Sequence, residues 1–276
     1  MRWIVTLIAA HAARPAAALM AVGALLFAMA PAGAQSLESR VSSVGDGTVQ
    51  LRFASRPGVC GDGRGSIGTG GNTIMRQYSS DSRYGYTREW CVPGPVRVVL
   101  TMRGGAVDRA MVFVGGNDSS SGVHDLGMVG AREAADYFLA LAPRAPGRVG
   151  EEAIVATVLA DSVTPWPALF PIARSESAPR RTRESATFWL SRAAAAAVNH
   201  RPLFADRDED ESERDEVRGA AIFALSQQPH DEGVPALIRV ARSNRAPAAR
   251  DKALFWLGQS GDPRAVELFA ELLGVR

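Results

Sequence analysis

The sequence predicts a mainly α chain: a C-terminal α-solenoid of helix pairs, preceded by a small N-terminal β unit held by a disulfide, α+β overall. Three observations lead there. From Thr48 to about Gly116 apolar and polar residues alternate with a period of two, as half-buried strands do. From about Val129 the period becomes helical and stays so to the C-terminus. Within that part the chain repeats itself at separations of 35 and 32 residues, as stacked helix pairs do.

Residues 1–34 read as an export signal. Arg2 and Arg14 flank a basic start, an apolar run follows from Ala16 to Ala30, and Ala32-Gly33-Ala34 ends it with small residues. That order predicts cleavage before Gln35 and a periplasmic or secreted protein. The alternative is an uncleaved anchor, but Pro31 interrupts a run shorter than the roughly 20 apolar residues of a spanning helix. After cleavage no stable membrane insertion is expected. The whole chain carries a formal charge of +2, and loss of Arg2 and Arg14 leaves it neutral. A neutral chain lacks the clustered cations that displace counterions from phosphates, which argues against a nucleic-acid partner. Lys252 is the only lysine, a bias ascribed to codon usage.

Residues 35–125 form the expected β unit. Val49, Leu51 and Phe53 alternate with Thr48, Gln50 and Arg52, and Val96, Val98, Leu100 and Met102 alternate with Arg97, Val99, Thr101 and Arg103. Gly104-Gly105 then turns the chain into "VDRAMVFV", so Val96 to Val114 reads as a hairpin. Cys60 and Cys91 are the only cysteines, and in an oxidising compartment they are expected to pair. Closing a loop of about 32 residues contributes on the order of 3 to 4 kcal/mol. Between them, Gly63-Arg64-Gly65-Ser66-Ile67-Gly68 spells G-x-G-x-x-G. A dinucleotide cradle needs a helix opening after the glycines. Here "TGGNT" prolongs the stretch, so it reads as a flexible glycine loop pinned by the disulfide, and no cofactor is expected.

Residues 128–276 form the expected solenoid. "REAADYFLALA" places Ala134, Tyr137, Phe138 and Leu141 on one stripe, stopped by Pro143 and Pro146. "RESATFWLS" from Arg183, "RGAAIFALS" from Arg218 and "RDKALFWLG" from Arg250 each carry alanine three, phenylalanine five and leucine seven residues on. A second element, "WPALFPIAR" from Trp166, matches "VPALIRVAR" from Val234 and more loosely "RAVELFAEL" from Arg264. Such pairs cannot bury their apolar faces alone and are expected to stack in order.

"VRGAAIFALSQQPHDEGVPALIRVARS" followed by "ARDKALFWLGQSGDPRAVELFAELL" resembles bacterial HEAT-like repeats, the short variety also found in phycobilisome lyase proteins. Asp231 and Asp262 sit where that repeat commonly has its turn aspartate. The resemblance implies an α-solenoid and an interaction surface, and it does not imply lyase activity.

Candidate sites follow from these patterns. Arg183, Arg218 and Arg250 hold one place in three repeats, and ordered stacking would set them in a ladder suited to carboxylate or phosphate groups; each is otherwise paired with a local acid. Asp206 to Glu216 has eight carboxylates and two arginines. Asp206, Asp208 and Asp210 have calcium-loop spacing, but Glu211 and Val217 stand where the loop needs glycine and glutamate, so the run reads as a solvated insertion between repeats. Trp189, Trp256, Phe188, Phe223 and Phe255 recur in helical phase and are expected in the core. His124, His200 and His230 are scattered without metal-ligand spacing. No nucleophile or phosphate-loop motif is present, and no catalytic activity is expected. The reading is a secreted or periplasmic interaction scaffold with a protein partner. Its alternatives are an envelope-processing enzyme or regulator with a site in the β unit, or a ligand- or glycan-binding β module supported by the solenoid.

Overall fold

The computed structural model describes residues 35–69, 72–75, 91–116, 122–204, 213–243 and 246–275. The expected export signal, all of the "SSDSRYGYTREW" stretch (residues 79–90) and most of the acidic run lie outside the described residues. From Gln35 onward the chain is one compact unit.

Helix α1 (Leu37–Ser42) is opened by the Ser36 hydroxyl, which accepts from the Ser39 amide at 3.2 Å, a serine N-cap. Leu37 and Val41 are its buried residues. Four strands follow in one sheet, β1 (Gly47–Phe53), β5 (Val96–Arg103), β6 (Ala106–Val114) and β7 (Val123–Met128), in the order β6-β5-β1-β7. The expected β5–β6 hairpin forms, with Arg103 opposite Ala106 across Gly104 and Gly105. Both glycines have positive φ, 57° and 76°, as a two-residue hairpin turn of this kind requires. The last strand, β7, runs parallel to β1, and the expected division between residues 125 and 128 falls inside it.

The glycine stretch corrects the expectation of a flexible loop. It holds β2 (Val59–Gly61), β3 (Ser66–Thr69) and β4 (Asn72–Met75), a second, antiparallel sheet. Glycine hides the alternation that would have announced these strands, because a residue without a side chain shows no period.

Val49, Leu51 and Phe53 of β1 and Val96, Val98 and Leu100 of β5 are fully buried. Helices α2 (Ala131–Leu141) and α3 (Gly147–Leu159) cover this face: α3 packs on β5 and β6, and Phe138 of α2 lies 6.2 Å from Phe53 between ring centroids. The β unit therefore gains the core that its size denies it. Arg56 fastens the join: its side chain donates to the carbonyls of Val158 at 3.2 Å and Val163 at 2.5 Å, and its amide to Leu159 at 2.8 Å.

The remaining helices are α4 (Trp166–Arg174), α5 (Arg180–Val198), α6 (Glu213–Ser226), α7 (His230–Ser243), α8 (Pro247–Gln259) and α9 (Pro263–Leu272). They do not stack in chain order. On α8, Lys252 lies beside Gly219 and Trp256 beside Phe223 of α6, whereas Gly258 touches Ser191 and Arg250 touches Asn199 of the α5 end. The last helix pair thus sits between α5 and α6. These contacts also fix direction: α8 runs parallel to α6 and antiparallel to α5. On the other layer, Arg264 donates to the His230 carbonyl and Arg242 pairs with Glu271, so α7 and α9 are parallel too.

Candidate functional site

A groove lies between α1, α2 and the β5–β6 turn and has a volume of about 740 Å³, within the range of ligand clefts. Leu37, Met102, Val107 and Leu141 form its apolar floor, and Glu38, Arg132, Asp136 and Arg144 its rim. The rim charges pair loosely: Arg144 lies 3.9 Å from Glu38, and Arg40 3.9 Å from Glu133. Tyr137 lines the wall. Burial first, then repulsion from Glu38, pushes its hydroxyl up to about 12. It stays a neutral hydrogen-bonding group through the physiological range. This chemistry can hold an amphipathic group, apolar end inward. Tyr137 appears in the sequence only as one member of a helical stripe, and the groove depends on α1, which the sequence reading missed.

At the glycine hairpin the carboxylate of Asp62 accepts the amides of Arg64, Gly65 and Ser66 at 2.8, 2.9 and 2.9 Å. Burial alone would raise its pKa, but these amides outweigh burial and hold the carboxyl below its ordinary value. A phosphate-binding loop offers free amides to its ligand. Here the protein's own aspartate already holds them, so the literal G-x-G-x-x-G is a structural turn. A Cβ on Gly63 would fall 2.6 Å from the Gly116 Cα, so this glycine serves backbone approach and not flexibility. The disulfide joins Cys60 to Cys91 as expected, beside the bridge between Gly61 and Val92.

Arg97 corrects the outward reading of its strand position. It is only 5 % exposed. Its guanidinium donates to the Gly63 carbonyl at 2.9 Å and stands 4.3 Å over the Phe113 ring. The cation pins the hairpin to the sheet. It also donates to the side-chain oxygen of Gln50, itself buried, and nothing in the sequence marked the pair.

The three repeat arginines do not form a ladder. Arg218 and Arg250 enter neighbouring, parallel helices. Arg183 is on α5, which is antiparallel to α8, so it lies about 24 Å along the axis from Asn199, where Arg250 docks. The shared pattern of Ala, Phe and Leu specifies which face of a helix is buried. It carries no information on direction, and α5 is seated the other way round. Arg250 donates to the Asn199 side chain at 2.9 Å, and Arg201 and Asn199 both donate to Asp251. Two arginines thus meet in a partly buried clamp between α5 and α8. The aromatic expectation holds for Trp189, 3 % exposed, and is corrected for Phe223 and Phe255, exposed by 48 % and 38 %. Among the described residues no group of three His, Cys, Asp or Glu side chains is placed to hold a metal ion, and no helix is long and apolar enough to cross a membrane.

The parallel, in-register packing of α6–α7 on α8–α9 coincides with a family match. Residues 208–275 match the family model of HEAT repeats. This segment is similar to HEAT repeats. Comparison with curated proteins and with solved structures finds no match to the chain. The family match spans α6 to α9 and leaves α5 out. The pairs α6–α7 and α8–α9 repeat one another by translation, whereas α5 joins them reversed.

Proposed function

We propose that the chain is a secreted or periplasmic protein-interaction scaffold, free of catalysis, that presents its HEAT-like helix pairs to a protein partner. The observation carrying this reading is the parallel stack at residues 208–275, because such repeats commonly serve as interaction scaffolds and expose large, shallow surfaces. Its decisive test is cross-linking of the mature protein in its native envelope, followed by mass spectrometry. One dominant protein partner on peptides from α6 to α9 supports it, and an uncross-linked monomer overturns it. Sequencing the N-terminus of the envelope-derived protein tests export: Gln35 is the expected first residue.

A second reading is supported by the groove beside Tyr137. Its apolar floor, charged rim and volume suit a small amphipathic ligand held by the β unit, with the helices as support. Leu141→Arg would fill that floor, and a ligand recovered with the wild type and lost with this variant favours the second reading over the first.

A further inference from the structure

We propose that the groove between α1 and α2 binds a single-chain zwitterionic lipid, with its tail along the apolar floor and its head, a phosphate and an ammonium joined by a short link, at Arg132 and Asp136. This rests on the reading of the groove as a ligand site and assigns the class of ligand.

Helix α2 turns two neighbouring rows of side chains into the groove. One row runs Arg132, Asp136, Ala140 at intervals of four, and the other Glu133, Tyr137, Leu141. Residues four apart lie one above another on a helix. In each row the first two side chains are polar and the third is apolar. Both rows therefore pass from polar to apolar in the same direction, over a rise of about 14 Å from Arg132 to Leu141. A chain molecule lying along α2 meets charge at one end and hydrocarbon at the other.

The rim charges are unequally committed, and this selects the head group. Arg144 donates through Nε to the Ala140 carbonyl at 2.9 Å and lies near Glu38, while Glu133 faces Arg40. Arg132 and Asp136, both exposed, form no hydrogen bond or ion pair among the described residues. Their Cβ atoms are about 5 to 6 Å apart, as at any i, i+4 spacing, yet they do not pair; a cation placed before an anion is the poorer order on a helix. One cation and one anion are thus left at the polar end of the groove. A head group of a single sign gains one of them and is repelled by the other, whereas a zwitterion matches both. The positive end of the α2 dipole lies on the Arg132 side, which sets the phosphate on Arg132 and the ammonium on Asp136, one turn further along. Each exposed ion pair contributes about threefold in affinity, and each buried methylene about fourfold. The tail therefore supplies most of the affinity and the head the selectivity.

The test is calorimetric titration of the mature full-length protein with four amphiphiles that share a decyl tail: decylphosphoethanolamine, decyl phosphate, decyltrimethylammonium and decyl maltoside. Each is used below its micelle concentration and at low salt, where exposed ion pairs are least screened. The zwitterion is expected to bind about tenfold tighter than the maltoside, and shortening its tail to octyl to weaken it by about tenfold. Arg132→Gln should turn the preference toward the trimethylammonium head and Asp136→Asn toward the phosphate, both with unchanged circular dichroism. A purely structural role for these side chains would produce neither reversal. Four heads bound alike, a wild-type preference for a singly charged head, or a zwitterion preference that survives both substitutions overturns the proposal and leaves a groove that still binds chains. No binding of any amphiphile overturns the proposal together with the ligand-site reading on which it rests.

Discussion

Arg97 of β5 donates a hydrogen bond of 2.9 Å to the backbone carbonyl of Gly63, so a cation buried on the larger sheet holds the turn of the smaller one. Replacing Arg97 with alanine removes a charged hydrogen bond and a ring contact and leaves the Gly63 carbonyl without this donor. A loss of about 2 to 4 kcal/mol is expected in urea unfolding. A loss under about 0.5 kcal/mol would show that the hairpin holds without it.

The disulfide acts on the same hairpin from the other side. Cys60 and Cys91 are 31 residues apart in sequence, and cross-linking a loop of that size limits the unfolded chain by about 3 to 4 kcal/mol. The Cys60→Ala, Cys91→Ala double variant should lose about that much by urea unfolding, and reduction of the wild type should lower its midpoint to match. Equal midpoints with and without reductant would refute the estimate.

Two glycines in the helical part should respond oppositely to alanine. A Cβ on Gly258 would stand 2.5 Å from Ser191 Oγ and 2.7 Å from its Cβ, atoms fixed on α5, so Gly258→Ala should cost about 1 to 3 kcal/mol by overpacking. A Cβ on Gly219 would meet the Lys252 side chain, nearest at Nζ, 2.5 Å away. That flexible end can swing aside, and better helix propensity offsets the shift. Gly219→Ala should therefore melt within a few degrees of the wild type, and a large drop would place a rigid contact there.

Tyr137 makes stability depend on alkaline pH. Its hydroxyl is raised from 10.0 to about 12 in the folded chain, so the unfolded chain loses this proton first. The contribution is complete below pH 10 and declines as pH rises from there to about 12. Tyr137→Phe should flatten that part of the stability curve, and absorbance titration of the wild type should show one tyrosine ionising late. A late step that persists in Tyr137→Phe would assign it to another tyrosine.

Strands β1, β5 and β6 were legible because apolar side chains line one face of each, and that writes a period of two into the sequence. The strands of the smaller sheet were not, since Gly61 and Gly68 interrupt any such pattern. Helices α5, α6 and α8 were legible from a repeated apolar face. Their order and direction were not, because Ser191 against Gly258 is a contact between small groups that either helix direction could supply. At the candidate site the disulfide could be read from a count of two cysteines. Arg97 could not, because a polar residue alternating with valines looks outward until a second sheet folds over it. The groove beside Tyr137 was invisible for a similar reason: α1 is too short to show a helical period, and only its packing on α2 makes a wall.

The placement of α8–α9 between α5 and α6 has a consequence for the growing polypeptide. Synthesis delivers the chain from its N-terminus, so α6 and α7 emerge before the surface on which they rest exists. Until α8 follows, Ser191 of α5 lacks Gly258, and Gly219 and Phe223 of α6 lack Lys252 and Trp256. Truncation before Pro247 would therefore remove the central wedge and leave two uncovered surfaces, so α8 and α9 lock helices that were made before them.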